Sequence, residues 1–265
     1  MENYIQMSIF EEKITNANTY DKKDALSNIR ALYSMWKSGK LGGEIMPEDS
    51  NPNLALDEEQ NYIYFTLPMA LNYQRNSYKL WESALKTYDD PYTRYLFNPQ
   101  EVICKDVQQI QNDLVKYKVA LQPNKQTVIW ITLCNTIVNH LEGSIKNLFI
   151  KNDYSVKKIL QDIQFTNKKD YPYLSGNKIA NYWLYVLLNY TSLQLVDKKN
   201  ISVAPDTHVI QSTHKLGLID NIETHNVQEQ TAKAWEEVLT GSEFTPIDIH
   251  TPMWLWSRSG FPPIN

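Results

Sequence analysis

Apolar residues recur at steps of three and four along most of the chain, the spacing that places side chains on one face of an α-helix. The series Leu26, Ile29, Leu32, Tyr33 and Trp36 predicts a first amphipathic helix. The same spacing predicts further helices near residues 57–73, 80–85, 98–114, 124–141, 153–164, 178–190, 206–216, 227–239 and 247–258. We therefore expect an all-α fold of about ten helices joined by short loops.

Some of these segments carry additional local signals. Pro68 predicts a kink within the segment 57–73. Asn98 followed by Pro99 is typical of a helix start and predicts one uninterrupted helix in its segment. Residues 124–141 are apolar on nearly every side, which predicts a central buried helix.

The composition agrees with helices and excludes several classes of protein. The chain has 265 residues, of which only 8 are Gly and 12 Pro, too few for a turn-rich all-β fold. Two cysteines, Cys104 and Cys134, can form neither a disulfide framework nor a four-cysteine metal site. The five histidines show no metal-binding spacing, so we expect no metal and no cofactor. The sequence shows no signal-peptide pattern and no membrane-length apolar run, so we expect a cytoplasmic protein without membrane contact. We also expect a monomer.

Charge is distributed unevenly along the chain. The net charge is −4, which excludes a protein that holds polyanions by bulk positive charge. Residues 1–60 carry −5 and residues 221–265 carry −4, whereas 61–150 carry +2 and 151–220 carry +3. A nucleic-acid-binding face would therefore lie in the middle of the chain.

The most informative segment is Leu-Ser-Gly-Asn-Lys-Ile-Ala-Asn at 174–181, between two predicted helices. Gly176 permits a tight turn and a close approach of another backbone. The helix that follows presents free N–H groups and its positive dipole end, which together bind anions. The segment is therefore either an ordinary helix–helix turn or a hairpin that holds a phosphate through backbone amides.

A second segment, Val-Ala-Pro-Asp-Thr-His-Val-Ile at 203–210, follows after one long helix and a loop. The two segments together resemble the helix-hairpin-helix DNA glycosylases of the endonuclease III superfamily. That superfamily has approximately Leu-Pro-Gly-x-Gly-x-Lys-Thr-Ala, followed by Val-Asp-Thr-His-Val. The matching positions are Leu174, Gly176, Lys178 and Ala180, then Asp206, Thr207, His208 and Val209. The hairpin here has one glycine instead of two, and the spacing between its lysine and the aspartate is longer.

Other segments resemble the archaeal 8-oxoguanine glycosylase branch, which has a similarly long insertion. Residues 69–73 and 79–82 resemble its early substrate-pocket helix and loop, and residues 249–255 resemble its C-terminal helix. Trp254 keeps the aromatic residue of that helix, whereas His250 replaces an aspartate. The resemblance implies two helical subdomains with the active site in the cleft between them.

The resemblance also implies a domain organisation and a set of site residues. Residues 1–56 would form an N-terminal helical extension and 57–260 the glycosylase-like core, with the hairpin at about 172–190. Asp206 and Lys178 would be catalytic. The expected DNA contacts are Ser175, Gly176, Asn177 and His208. The expected pocket for a flipped base is formed by Trp254, His250, Trp81 and Asn72.

The implied reaction is removal of a modified or damaged base from double-stranded DNA after the base is flipped out of the stack. Asp206 would stabilise the cation-like sugar or activate a nucleophile, and the amine of Lys178 would form a Schiff base and add strand cleavage. If Lys178 only contacts phosphate, an abasic site remains. Because His250 stands in place of an acid, we expect a base other than simply 8-oxoguanine, including the modified bases of some viral genomes.

Two other classes of function fit the sequence. One is an N-glycosidic hydrolase of a modified nucleoside or nucleotide, of the salvage type, which the acidic net charge favours slightly. The other is a non-catalytic DNA-binding module that has kept the hairpin. The co-occurrence of Lys178 and Asp206 argues against the second, because binding alone requires neither residue.

Overall fold

The computed structural model describes residues 22–41 and 46–264, and every regular element within them is helical. This confirms the all-α prediction for that part of the chain. Short 3-10 turns and one π-helical segment, Asp162–Thr166, connect the α-helices. The α-helices are α1 (Lys22–Lys37), α2 (Glu59–Thr66), α3 (Ser77–Asp89), α4 (Pro99–Val102), α5 (Val107–Lys116), α6 (Pro123–His140), α7 (Lys146–Lys151), α8 (Val156–Gln161), α9 (Asn177–Tyr190), α10 (Thr207–Lys215), α11 (Val227–Leu239) and α12 (His250–Arg258).

Two of the predicted helices are interrupted. The segment 57–73 forms α2 and then the 3-10 turn Pro68–Leu71, because proline has no N–H with which to continue the α-helical bonding. The helix expected over 98–114 is divided into α4 and α5. The Asp106 carboxylate accepts hydrogen bonds from the N–H groups of Gln108 (2.9 Å) and Gln109 (3.2 Å) and so starts a new helix.

Helix α6 is buried on one side only, which corrects the expectation that it is buried all round. Trp130 is fully buried, and its indole N–H donates to the Leu96 carbonyl at 2.9 Å. Val128, two residues earlier, is 62% exposed. Residues two apart on a helix point in different directions, so an apolar residue can lie on the solvent side.

The buried apolar residues form two clusters. The larger one is built from α2 to α9, around side chains such as Tyr64, Trp130 and Trp183. The smaller one joins α1 to α10, α11 and α12, around Ile29 and Trp235. The first described helix thus packs with the C-terminal helices, although the sequence places them at opposite ends of the chain.

The proposed boundary at residue 56 stays a prediction. Of the expected extension 1–56, residues 1–21 and 42–45 lie outside the described residues. The described part of the extension is in contact with the rest of the protein: α1 packs against α12, and the 3-10 turn Pro47–Asp49 packs against α3.

Two further observations concern the expected setting of the protein. Within residues 22–41 and 46–264, no helix is both long and apolar enough to cross a bilayer. Cys104 is exposed and Cys134 is buried, and burial raises the pKa of the Cys134 thiol well above its usual range.

Candidate functional site

A cavity of about 260 Å³ lies between helices of the two apolar clusters. Its wall brings together five of the residues singled out from the sequence, namely Asn72, Lys178, Asp206, His250 and Trp254. The remaining lining residues are Pro47, Gln74, Arg75, Ser77, Ile179, Tyr182, Ala204 and Thr207.

Two backbone amides of the hairpin before α9 donate hydrogen bonds within the hairpin itself. The N–H of Ser175 donates to the Tyr171 carbonyl at 2.9 Å, and that of Gly176 donates to the Tyr173 carbonyl at 3.1 Å. These two amides are therefore engaged within the hairpin, and the expected DNA contacts of Ser175 and Gly176 stay a prediction. The amides that remain free at the start of α9 belong to residues 177–179, since no side chain caps the helix.

Lys178 lies in the first turn of α9 and is half-buried. It forms no ion pair with any carboxylate in the described part of the chain. Lys178 lines the cavity and also a neighbouring groove. Its amine is thus available for a reaction or a contact within the cavity.

Asp206 has two roles that its position makes compatible. As the N-cap of α10 it accepts a hydrogen bond from the N–H of Val209 through Oδ1, at 2.9 Å. Its other oxygen, Oδ2, accepts no hydrogen bond from a described residue, and the side chain lines the cavity. The cap therefore orients the carboxylate while leaving one oxygen for a ligand.

Asn181 connects the hairpin helix to the loop that carries Asp206. Its side-chain N–H group donates to the carbonyl and the side-chain oxygen of Asn177, at 2.8 and 3.0 Å. Its Oδ1 accepts the backbone N–H of Ser202 at 2.8 Å. Asn181 is only 2% exposed, so these bonds are protected from water.

His250 and Trp254 lie one helical turn apart at the start of α12 and form one wall of the cavity. The His250 ring is 3% exposed and lies 5.1 Å from the ring of Tyr182. Burial lowers the pKa of His250 to about 4, so the ring is neutral at pH 7. Its Nδ1 has no hydrogen-bond partner among the described residues.

Trp254 is held on several sides. The ring of His208 meets it edge-on, with centroids 5.5 Å apart, and the guanidinium of Arg258 lies 4.9 Å from its centroid. Nδ1 of His208 is hydrogen-bonded to the Ser257 hydroxyl at 3.0 Å. The structure thus places His208 against α12, where it supports Trp254, and its expected contact with DNA stays a prediction.

Arg75 adds a fixed positive charge to the cavity wall. Its two terminal nitrogens donate to the carbonyls of Val119 (2.6 Å) and Lys118 (3.0 Å). Its Nε is buried and has no partner in the described part of the chain. Burial lowers the pKa of Arg75 to about 10, which still leaves it charged at neutral pH.

A groove of about 750 Å³ adjoins the cavity and shares four of its lining residues, Asn72, Gln74, Lys178 and Ile179. The rings of Tyr73 and Tyr173 lie 5.4 Å apart beside it, and the Lys125 ammonium lies 4.6 Å from the Tyr173 centroid. The groove also contains the first residues of α9. An extended ligand could therefore lie in the groove with one group in the cavity.

Trp81 is not part of the cavity, contrary to expectation. Its ring is fully buried and packs against Tyr64 and Phe65, with centroids 5.8 and 5.5 Å apart. Trp81 lies on the inner face of α3 with Leu80 and Ala84. The apolar spacing that predicted the helix also assigns this tryptophan to the core.

Several cavity residues could not be inferred from the motifs. Pro47 belongs to the segment assigned to the N-terminal extension. Tyr182 lies within α9, just after the motif segment 174–181. Arg75 has one usable signal, since it follows the segment 69–73 closely.

In the described part of the chain, no group of three or more His, Cys, Asp or Glu side chains lies close enough to hold a metal ion. No protein-family model matches the chain, and no curated protein matches its sequence.

Proposed function

We propose that the protein is a DNA N-glycosylase that flips a modified or damaged base out of the duplex and excises it. The observation that carries this proposal is the meeting of Lys178 and Asp206 in one cavity, beside the free amides of the α9 N-terminus. A nucleophilic amine, a carboxylate and an anion site together are what this reaction requires. The two apolar clusters correspond in this proposal to the two subdomains, and the cavity to the cleft.

In the proposed reaction the base occupies the cavity and its sugar lies against Asp206. The bond between the base and the anomeric carbon breaks, and the electron pair leaves with the base. The free oxygen of Asp206 stabilises the positive charge that develops on the sugar. If the neutral amine of Lys178 bonds to the anomeric carbon, it gives up a proton, the C–O bond of the sugar ring opens and a Schiff base forms; elimination of the 3′ phosphate then cleaves the strand. Otherwise water adds to the anomeric carbon, the departing base takes up a proton, and an abasic site remains.

The wall formed by His250 and Trp254 supports a base other than simply 8-oxoguanine. A neutral histidine offers one donor and one acceptor, unlike a carboxylate, which only accepts. A modified or bulky base fits this wall, because the cavity opens into the adjoining groove. The role would then be repair, or defence against viruses with modified genomes.

DNA is held in this proposal by local contacts. The amides of residues 177–179 bind one phosphate at the positive end of α9, and Arg75 contributes a fixed charge. Tyr73 and Tyr173 line the groove along which a strand would run. We further propose that the protein acts as a cytoplasmic monomer.

The decisive experiment is borohydride trapping on duplexes that carry damaged or modified bases. A covalent adduct that disappears in Lys178→Ala would support Lys178 as the nucleophile. Base release without trapping, abolished by Asp206→Asn, would support an enzyme that leaves an abasic site. Lys169→Ala and Asp153→Asn alter exposed residues outside the cavity and serve as controls.

The same assays separate the two alternatives. Release of base from a free modified nucleotide, but from no duplex, would favour the salvage-type hydrolase. Duplex binding with a steep salt dependence but no release would favour a binding module. If 8-oxoguanine is removed far faster than modified pyrimidines, His250 does not set the base preference proposed for it.

A further inference from the structure

A buried carboxyl group, Glu48, contacts a residue that lines the cavity. It follows Pro47, which lines the cavity, and is only 1% exposed. Its Oε2 accepts a hydrogen bond from the hydroxyl of Tyr182 at 3.1 Å. The other oxygen, Oε1, has no hydrogen-bond partner among the described residues.

Tyr182 connects this carboxyl group to the site. The tyrosine lines the cavity, and its ring lies 5.1 Å from the ring of His250. Its hydroxyl is buried and its pKa is raised strongly by burial, so it stays protonated and acts as a donor. The hydrogen bond to Glu48 therefore fixes one ring of the cavity wall.

We propose that Glu48 is a positioning residue, which holds the ring of Tyr182 in the wall that contacts the flipped base and does so best when it is ionised. A carboxylate forms a hydrogen bond about twice as strong as a neutral acceptor does. The inference builds on the proposed function, since it concerns the reaction in the same cavity.

The protonation state of Glu48 can change near neutral pH. Burial raises the pKa of Glu48 to about 7, while the Tyr182 hydroxyl and the nearby Trp81 indole oppose that rise and Asp49 adds to it. The titratable groups that surround the pair are Tyr185 and Tyr190 on α9, Asp206 at the N-cap of α10 and His250 on α12. Excision should therefore become faster as pH rises through about 7.

The test is the pH profile of single-turnover excision between about pH 6 and 8, which spans the titration. Wild type should show a rise with its midpoint near 7. Glu48→Gln, a neutral residue of the same size, should stay at the low-pH rate throughout and be about 10- to 100-fold slower at the upper end. Tyr182→Phe, which keeps the ring and removes the hydroxyl, should lose the rise as well. The exposed Glu237→Gln should keep the wild-type profile.

If the excision rate of Glu48→Gln still rises with pH, the inference is overturned. If the rate still rises with pH in Tyr182→Phe but not in Glu48→Gln, then Glu48 does not act through Tyr182. A uniform loss of rate with the wild-type midpoint would indicate a merely structural role and also overturn it. If wild type releases no base from any DNA, the proposed function fails independently. Carbon-13 NMR then still tests the pair: the carboxyl signal of Glu48 and the ring signals of Tyr182 must titrate together, and separate titrations overturn the inference.

Discussion

The side-chain oxygen of Asn181 accepts the backbone N–H of Ser202 at 2.8 Å, which fixes the loop before Asp206 to the helix that carries Lys178. The two candidate catalytic residues are far apart in the chain and belong to elements of different apolar clusters. A partly buried hydrogen bond between their supporting elements therefore helps to bring both residues to the same cavity.

Replacing Asn181 with Ala should separate these two elements. The N–H of Ser202 would lose its partner in a partly buried position, at a cost of about 1 kcal/mol in the free energy of unfolding. Excision should slow by about 10- to 100-fold, because a small displacement of Asp206 disturbs the reacting geometry. Urea unfolding and single-turnover assays measure the two effects.

Asn189→Ala is the matched control for this experiment, since Asn189 lies on the same helix and is exposed. It should leave the excision rate unchanged. Equal rates for Asn181→Ala and wild type would show that the loop keeps its position without this bond.

His250 should make stability depend on pH in the acidic range. Its pKa is about 4 in the folded protein and 6.5 ordinarily, so the unfolded chain binds the proton more readily. The neutral ring contributes fully to the free energy of unfolding above about pH 6.5, and this contribution is lost as pH falls towards 4. The free energy of unfolding decreases by about 3 kcal/mol over this range.

His250→Asn and His250→Phe remove this titration with side chains of different shape. The difference in unfolding free energy between wild type and either variant should therefore shrink on acidification, by a similar amount in both. Curves of wild type and variant that stay parallel from about pH 7 to 4 would contradict the neutral, buried histidine.

The sequence predicted the elements whose signals are local. Apolar spacing identified α1, α9 and α11, because each buries one face of a single helix. The apolar spacing predicted a single helix between residues 98 and 114, because the spacing continues across the gap between α4 and α5. There the Asp106 cap, a single polar side chain, outweighs the periodicity.

The candidate site was predictable only as far as its motifs extend. Lys178 and Asp206 carry such motifs, whereas Pro47 and Tyr182 enter the cavity through packing of distant segments. Trp81 shows the opposite error. Its segment resembles a pocket segment in sequence, but Trp81 lies on the side of α3 that faces the core. Which face of a helix points to a cavity depends on its neighbours, and a single sequence does not contain that information.

Substitutions of two tryptophans, one in the cavity wall and one in the core, should separate effects on the excision rate from effects on stability. Trp254→Phe should slow excision by about tenfold, because the smaller ring leaves the cavity wall incomplete. Trp130→Phe should leave the rate of the folded protein unchanged. It should lower the unfolding free energy by about 1–3 kcal/mol, since the Leu96 carbonyl loses its buried donor. A rate loss in Trp130→Phe equal to that of Trp254→Phe would mean that both effects are structural.

Glu48 should oppose His250 in its effect on stability. Its pKa is raised from 4.5 to about 7 in the folded protein, so here the folded chain binds the proton more tightly. The contribution of the neutral carboxyl is complete below about pH 4.5 and is lost as pH rises to about 7. Glu48→Gln should therefore gain on wild type by about 3 kcal/mol over this range in urea unfolding.

That gain would coincide with the loss of activity inferred for the same variant. A charge that destabilises the folded protein and accelerates its reaction is expected at a functional site. A carboxyl group with a purely structural role would not change stability and reaction rate in opposite directions. Measuring stability and rate on the same samples of Glu48→Gln, at the same pH values, tests both. If the variant is less stable than wild type at every pH, by a constant amount, then Glu48 is an ordinary buried acceptor for Tyr182.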